Sequence, residues 1–252
     1  MTSVATANLL YTLPRADAGR ALEAVLAEKP DLVGLQEWYV TRLPLLRRTG
    51  TVRLVAPLGL PGIPVPSAGA PRYHWVTTLA DGNAVGARAD RFDLVQGRSL
   101  LIDPIGRGDR DDRFLHTEPP RYVAVGVFRE RSTGTTYAMI SYHLTPHVEN
   151  HGEYRSDLPL LVARHQREVR ALAALVAELQ AQGHVTYAVG DANFDRQKLA
   201  GVTSSWAGRE QDPGTWGTGL RKLDDVQGPG PATSVRLVET GSDHRAVVAA
   251  RD

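Results

Sequence analysis

Apolar residues along the chain follow two rhythms. Short runs that are apolar almost throughout, such as Val4 to Leu10 and Leu32-Val33-Gly34-Leu35, predict strands buried on both faces. Ala16 to Lys29 instead repeats apolar residues at helical spacing (Ala18, Leu22, Val25, Leu26) and meets its stop at Pro30. The chain therefore opens as strand, helix, strand. Each strand ends on polar residues, Asn8 after the first and Gln36-Glu37 after the second, and strand ends are where sites collect in α/β folds.

The stretch from Leu54 to Arg72 is rich in Pro and Gly and predicts a long surface loop. Strand-like segments follow at Tyr73 to Leu79, Asn83 to Arg88, Phe92 to Ile102, Tyr122 to Arg129 and Thr136 to His143. Turn clusters at Asp81-Gly82 and Ser132-Thr133-Gly134 separate them, a spacing that predicts an antiparallel sheet. Asp103 to Arg113 is charged and turn-rich and reads as a solvated loop. Leu158 to Gln182 is the one long helix, stopped by Gly183, and Val185 to Val189 is the next buried strand. The apolar run Ala246-Val247-Val248-Ala249 ends the pattern as another buried strand. Strands with helices on their outer faces predict an α/β sandwich, and with no linker-like stretch in the middle residues 1–252 read as one domain.

Composition narrows the chemistry. A formal charge of +1 rules out a global basic field of the kind a nucleic-acid binder presents, leaving only local patches. Positive charge is almost all arginine, which suits phosphate contact but equally fits a GC-rich bacterial genome. The absence of cysteine removes disulfides, thiolate metal sites and cysteine nucleophiles together, so a metal must be held by oxygen and nitrogen ligands. The N-terminal residues have no basic region and no apolar stretch long enough for export, and no later segment is long and apolar enough to cross a bilayer; a cytoplasmic protein without integral membrane association is expected.

Polar residues at four strand ends carry the candidate chemistry. Glu37 follows the second apolar run, His143 ends a strand in Tyr142-His143-Leu144, and Gly190-Asp191-Ala192-Asn193 turns sharply with an Asp and an Asn two positions apart. The fourth is Asp243-His244, just before the last strand. With Asn8 they supply hard oxygen ligands for a Mg²⁺-like ion, two imidazoles for proton transfer, and amides for phosphate oxygens. No Gly-x-Ser-x-Gly, P-loop or dinucleotide fingerprint competes.

The ordered series Ala7-Asn8, Gln36-Glu37, Tyr142-His143-Leu144, Gly190-Asp191-Ala192-Asn193 and Ser242-Asp243-His244 resembles the signature of the endonuclease/exonuclease/phosphatase superfamily, the fold of pancreatic deoxyribonuclease. It spans nearly the whole chain. Gly82 to Arg88, Thr215-Trp216 and Leu223-Asp224-Asp225-Val226 resemble secondary marks of the same family. The resemblance implies a four-layer α/β sandwich, two mostly antiparallel sheets packed face to face with helices outside, and Mg²⁺-dependent cleavage of a phosphoester, with Mn²⁺ able to substitute. It further implies that Glu37 is the principal metal ligand, with Asn8 beside it and Asp243 near a second ion. Asp191 would orient or deprotonate the attacking water, and Asn193 would hold a phosphate oxygen. His244 would act as acid/base partner or hydrogen-bond donor, supported by Asp224, with His143 acting from the opposite side.

Departures from the family pattern matter too. Asp224-Asp225 leaves open which carboxylate supports His244, and Asp81 is a weak candidate partner for His143, better read as a turn residue. His143 stands where the abasic-site endonuclease branch generally has Tyr, which argues against that branch. Family membership does not choose the substrate. DNA or RNA is slightly favoured, the alternative being a phosphatase or phospholipid-head-group hydrolase with the same site, and a non-catalytic binding module comes last. Selectivity is expected in the loops from Pro57 to Arg72 and Ile102 to Pro120, and in His147, Glu149, His151 and Arg155. Arg107, Arg110 and Arg113 are interleaved with Asp109, Asp111 and Asp112, which favours a solvated loop over a DNA clamp. Tyr73-His74-Trp75, in strand register, reads as core.

Overall fold

The computed structural model describes residues 1–57, 62–110, 114–150 and 152–252. In chain order the first half holds β1 (Thr2–Asn8), α1 (Arg15–Ala27), β2 (Leu32–Gln36), α2 (Leu43–Thr49), β3 (Gly50–Val55), β4 (Ile63–Val65), β5 (Tyr73–Thr78), β6 (Ala84–Arg88), β7 (Phe92–Asp103), β8 (Gly106–Arg107) and β9 (Thr117–Glu118). The second half holds β10 (Arg121–Glu130), β11 (Thr136–His143), β12 (Glu149–Asn150), β13 (Glu153–Tyr154), α3 (Pro159–Ala181), β14 (Val185–Asp191), β15 (Thr203–Ser204), β16 (Asp224–Gly228), β17 (Ser234–Val238) and β18 (Ala246–Arg251).

Two sheets carry the architecture, an eight-stranded one in the order β17-β18-β1-β2-β6-β5-β3-β4 and a six-stranded one in the order β15-β16-β14-β11-β10-β7. Among the described residues, only β1/β2 and β3/β5 in the first and β11/β14 in the second run parallel. Three apolar clusters fill the spaces between four layers. Ala5, Ala7, Val33 and Leu35 meet Ala18, Leu22 and Val25 of α1, and Val123, Ile140 and Ala188 meet Leu172, Val176 and Leu179 of α3. Between the sheets, Val4, Leu32 and Val85 meet Met139, Tyr187 and Val189. Alternate residues of β1 and β2 thus serve opposite layers, so these strands carry apolar or small residues at nearly every position. At Gly34 the sheets come so close that a Cβ would run into the Val189 side chain. This is the four-layer α/β sandwich expected from the sequence.

Several local expectations are corrected. The strands from Tyr73 to His143 do not form one antiparallel sheet: β5 and β6 belong to the first, and β7, β10 and β11 to the second. The Pro-rich stretch from Leu54 to Arg72 is not all loop, because β3 runs to Val55 and Ile63–Val65 pairs with it as an edge strand. Leu58 to Pro61, within it, lie outside the described residues, as do Asp111 to Arg113 and His151. The charged segment after Asp103 is also less solvated than its composition implies. Asp103 is buried and pairs with Arg164 and Arg167 of α3, and the Asp109 carboxylate accepts the backbone N–H groups of Leu160 (2.7 Å) and Leu161 (3.3 Å). These carboxylates anchor and cap the long helix, whose first N–H groups have no partners within the helix itself. Tyr73 and Trp75 are core, their polar atoms donating to Pro30 O and Thr49 Oγ1.

Candidate active site

Sheet register brings the strand ends together. In the parallel pair β1/β2, Asn8 stands opposite Gln36, so Glu37 emerges beside Asn8. In β11/β14, His143 stands opposite Asp191, and in the antiparallel pair β14/β16, Asp191 stands opposite Asp224. Because β18 runs antiparallel to β1, His244 arrives just before it at the Asn8 end. The strand-end residues Asn8, Glu37, His143, Asp191, Asn193, Asp224, Asp243 and His244 thus lie at one end of the two packed sheets.

Their side chains interlock. The Asn8 amide donates from Nδ2 to Asp191 Oδ2 (3.0 Å) and Glu37 Oε1 (3.3 Å), while its buried Oδ1 has no hydrogen-bond partner. The second Glu37 oxygen accepts the Tyr11 backbone N–H at 2.7 Å. Asp191 Oδ1 accepts the Asn193 N–H at 2.7 Å, and Oδ2 also lies 3.6 Å from His143 Nε2 and 3.9 Å from His244 Nε2. His244 Nδ1 sits 2.7 Å from Asp224 Oδ2. Asp225 points away, accepting from the Ser205 N–H and hydroxyl, so Asp224 is the carboxylate in contact with His244. The Asn193 side chain donates to Leu144 O, and Asp243 is exposed at the rim. Asp81 accepts the N–H groups of Gly82 and Tyr122, the turn role favoured for it over partnership with His143.

The backbone is forced where these groups gather. Glu37 and Asn193 are non-glycine residues at φ of 56° and 50°, a conformation that the surroundings must impose. At Glu37 the restraint comes from the following residue, whose Trp38 N–H donates to Gly82 O at 2.7 Å. Gly190 packs so tightly on β11 that a Cβ would strike the Tyr142 carbonyl.

Burial and charge set the protonation states. Burial, reinforced by Asp224, pushes the Asp191 carboxyl above its usual range. Burial lowers His143 to about 4 despite the pull of Asp191, leaving it neutral near pH 7. For His244, burial opposes the charge, but Asp224 and Asp191 outweigh it and raise the imidazole to about 10. The pair of imidazoles is thus split into one neutral and one cationic.

Among the described residues, Asp191, Asp224 and His244 each bring a ligand atom within 4.8 Å of the others, a cluster capable of coordinating a divalent metal. A cleft of about 640 Å³ opens over the site, lined by Asn8, Glu37, His143, Asp191, Asn193, Asp243 and His244. Its walls add residues that strand-end reasoning did not single out: Tyr11, Tyr39, Arg121, Trp216 and Arg221. Of the expected selectivity residues, His147, Glu149, Arg155 and Pro119 line it, His151 lies outside the described residues, and none of the described residues between Pro57 and Arg72 lines it. A buried polar bridge between the sheets also went unread: Gln36 Nε2 donates to Ser141 Oγ at 2.9 Å and Thr6 Oγ1 donates to Gln36 Oε1 at 3.1 Å. Gln36 stood next to Glu37 in the motif, but nothing in the sequence names Ser141 as its partner.

No protein-family model matches the chain, and no curated protein matches it by sequence. Solved structures do match it over nearly its whole length. An endonuclease/exonuclease/phosphatase family protein from Bacteroides thetaiotaomicron is 16% identical, with 98% of this chain and 96% of that one covered at a TM-score of 0.64. TDP2 of D. rerio, complexed with a single-stranded DNA product, is 15% identical, covering 98% and 97% at 0.64. A mannosyl-6-phosphatase from Bacteroides thetaiotaomicron is 16% identical, covering 99% and 98% at 0.63. The chain has the fold of the endonuclease/exonuclease/phosphatase superfamily, the one its motif order resembles.

Proposed function

We propose that residues 1–252 form one catalytic domain that hydrolyses a phosphoester with the help of a divalent cation. The observation that carries this reading is the convergence of Asn8, Glu37, His143, Asp191 and His244 in one cleft, with the two imidazoles held in different charge states. One structural neighbour is complexed with a single-stranded DNA product and another is a mannosyl-6-phosphatase; both are consistent with such chemistry, and the fold alone does not choose between them.

The donor set fits Mg²⁺, with Mn²⁺ as substitute. Glu37 supplies a carboxylate, and Asn8, whose Nδ2 is engaged by two carboxylates, keeps a buried carbonyl oxygen with no protein partner. We assign the cation to Asn8 and Glu37, with Asp243 at the rim available to a second ion. The alternative cluster of Asp191, Asp224 and His244 is already tied by the Asp224–His244 hydrogen bond. A bound cation supplies Lewis-acid polarisation of the phosphoryl group and stabilises the charge that builds on its oxygens.

The protein groups then divide the proton work. Asp191 orients the attacking water and takes its proton as the new P–O bond forms, its raised affinity for a proton making it a better base. His244, cationic and held by Asp224, gives a proton to the leaving oxygen as the old P–O bond breaks. Asn193 holds a phosphate oxygen, and neutral His143 donates a hydrogen bond from the opposite side. Nucleic acid is the preferred substrate; a phosphatase or phospholipid-head-group hydrolase is the second reading. Separate incubations with plasmid DNA, bis-p-nitrophenyl phosphate, sphingomyelin and inositol phosphates test the choice. Mg²⁺-dependent turnover of DNA is expected, and exclusive turnover of a lipid or inositol substrate would overturn the preference.

A further inference from the structure

The cleft wall on the β2 and β10 side is built differently from the rest. Tyr11 and Tyr39 stand there 61% and 43% exposed, their rings edge to face with centroids 6.1 Å apart. An edge-on contact covers the face of only one ring, so the pair presents aromatic surface to the cleft it lines. The pair is also fixed to the chemistry, because the Tyr11 N–H holds Glu37 and both tyrosines flank that residue's strand end.

Arg121, at the start of β10, lies on the same wall and is electrostatically coupled to both Tyr39 and His143. The other arginines lining the cleft are neutralised at home, Arg155 by Asp157 at 2.5 Å and Arg221 by the buried Glu149. Arg121 forms no ion pair with a described carboxylate, and its buried Nε has no hydrogen-bond partner. Asp81 is the carboxylate that feels its charge, but both Asp81 oxygens are spent on the Gly82 and Tyr122 N–H groups, so the planar fork of Arg121 keeps donors for an anion and suits a phosphate.

Building on the phosphoesterase reading, we propose that Tyr11, Tyr39 and Arg121 bind the nucleotide next to the scissile phosphate. The base stacks on the tyrosine rings and the flanking phosphate pairs with Arg121, which makes the substrate a nucleic-acid strand with unpaired bases. Stacking requires only a π-face and tolerates any base, so this wall selects for a single strand rather than a sequence. A sugar phosphate or inositol phosphate offers no planar ring to it.

The experiment is fluorescence anisotropy of a labelled five-nucleotide single-stranded DNA in EDTA, run beside hydrolysis of the same strand and of bis-p-nitrophenyl phosphate in Mg²⁺. Arg121→Gln and Tyr39→Leu are each expected to weaken strand binding about tenfold, while Tyr39→Phe, which keeps the ring, binds like wild type. Arg121→Gln should also flatten the slope of log Kd against log salt by about 1. In turnover, the loss on the strand is expected to exceed the loss on bis-p-nitrophenyl phosphate about tenfold, expressed in KM. Wild type that hydrolyses bis-p-nitrophenyl phosphate but binds the strand no better than these variants overturns the subsite and leaves the phosphoesterase reading standing. Strand binding that weakens as described, in a protein that hydrolyses no phosphoester, does the reverse.

Discussion

His244 Nδ1 lies 2.7 Å from Asp224 Oδ2, while the neighbouring Asp225 carboxylate turns to Ser205 instead. Adjacent residues on β16 point to opposite faces, so one buried carboxylate reaches His244 and the other Ser205. Asp224 is itself oriented by Thr215, whose hydroxyl oxygen accepts the Asp224 and Leu223 N–H groups. This geometry separates two substitutions that look alike in sequence. Asp224→Asn is expected to lower kcat about 10²-fold, because it removes the charge that holds His244 oriented and protonated. Asp225→Asn should leave kcat within about threefold, its side chain taking no part in proton transfer. Equal losses in the two variants would contradict the assignment.

Asp225 provides a test in stability instead. Burial, only partly offset by the Ser204 and Ser205 hydrogen bonds, raises its carboxyl to about 6. The folded protein therefore keeps this proton at pH values where the unfolded chain, with an Asp pKa of about 3.9, has released it. The group's contribution is greatest below about pH 4 and is lost as pH rises through 6. Asp225→Asn, which still accepts from Ser205, should gain stability over wild type as pH rises, by up to about 3 kcal/mol at pH 7. Urea denaturation of both proteins at pH 4, 5, 6 and 7 checks it; a difference that does not change with pH would contradict it.

Glu37→Gln keeps the side chain's shape and its bond from the Tyr11 N–H while removing the charge. The Mg²⁺ concentration for half-maximal activity should rise about tenfold or more, since a neutral amide is a poorer ligand for a hard cation. Titration calorimetry with Mn²⁺ gives the same information without turnover. Unchanged metal dependence would move the cation away from this residue.

Gly190 lies where a side chain has no room. Gly190→Ala forces a methyl group onto the Tyr142 carbonyl and should cost about 3 kcal/mol as β11 and β14 separate. Thermal denaturation measures it. An alanine variant as stable as wild type would show that the strands part freely.

Much of this arrangement was legible in the sequence, for a physical reason. Strands buried on both faces are apolar almost throughout, so the polar residues closing them stood out: Asn8 after Val4 to Ala7, Gln36-Glu37 after Leu32 to Leu35, Asp191 after Val185 to Gly190. What pairs with what was hidden, because sheet register is a property of the assembled fold. That Asp224 rather than Asp225 meets His244 depends on the facing of β16, and two like carboxylates in sequence give no sign of it. The same holds for Asp103 and Asp109, whose charge suggested solvent until α3 supplied their partners. The cleft walls were least legible. Tyr11 and Tyr39 come from the connections after β1 and β2 and Arg121 from the start of β10, and only the packing of the two sheets puts them on one wall.

The most direct test of the central reading is hydrolysis of bis-p-nitrophenyl phosphate by wild type and His244→Ala, each in Mg²⁺ and in EDTA. Wild type should turn over in Mg²⁺, stop in EDTA and recover with added Mg²⁺ or Mn²⁺, while His244→Ala should be slower by about 10²-fold or more. Turnover that persists in EDTA, or a His244→Ala variant as fast as wild type, would contradict it.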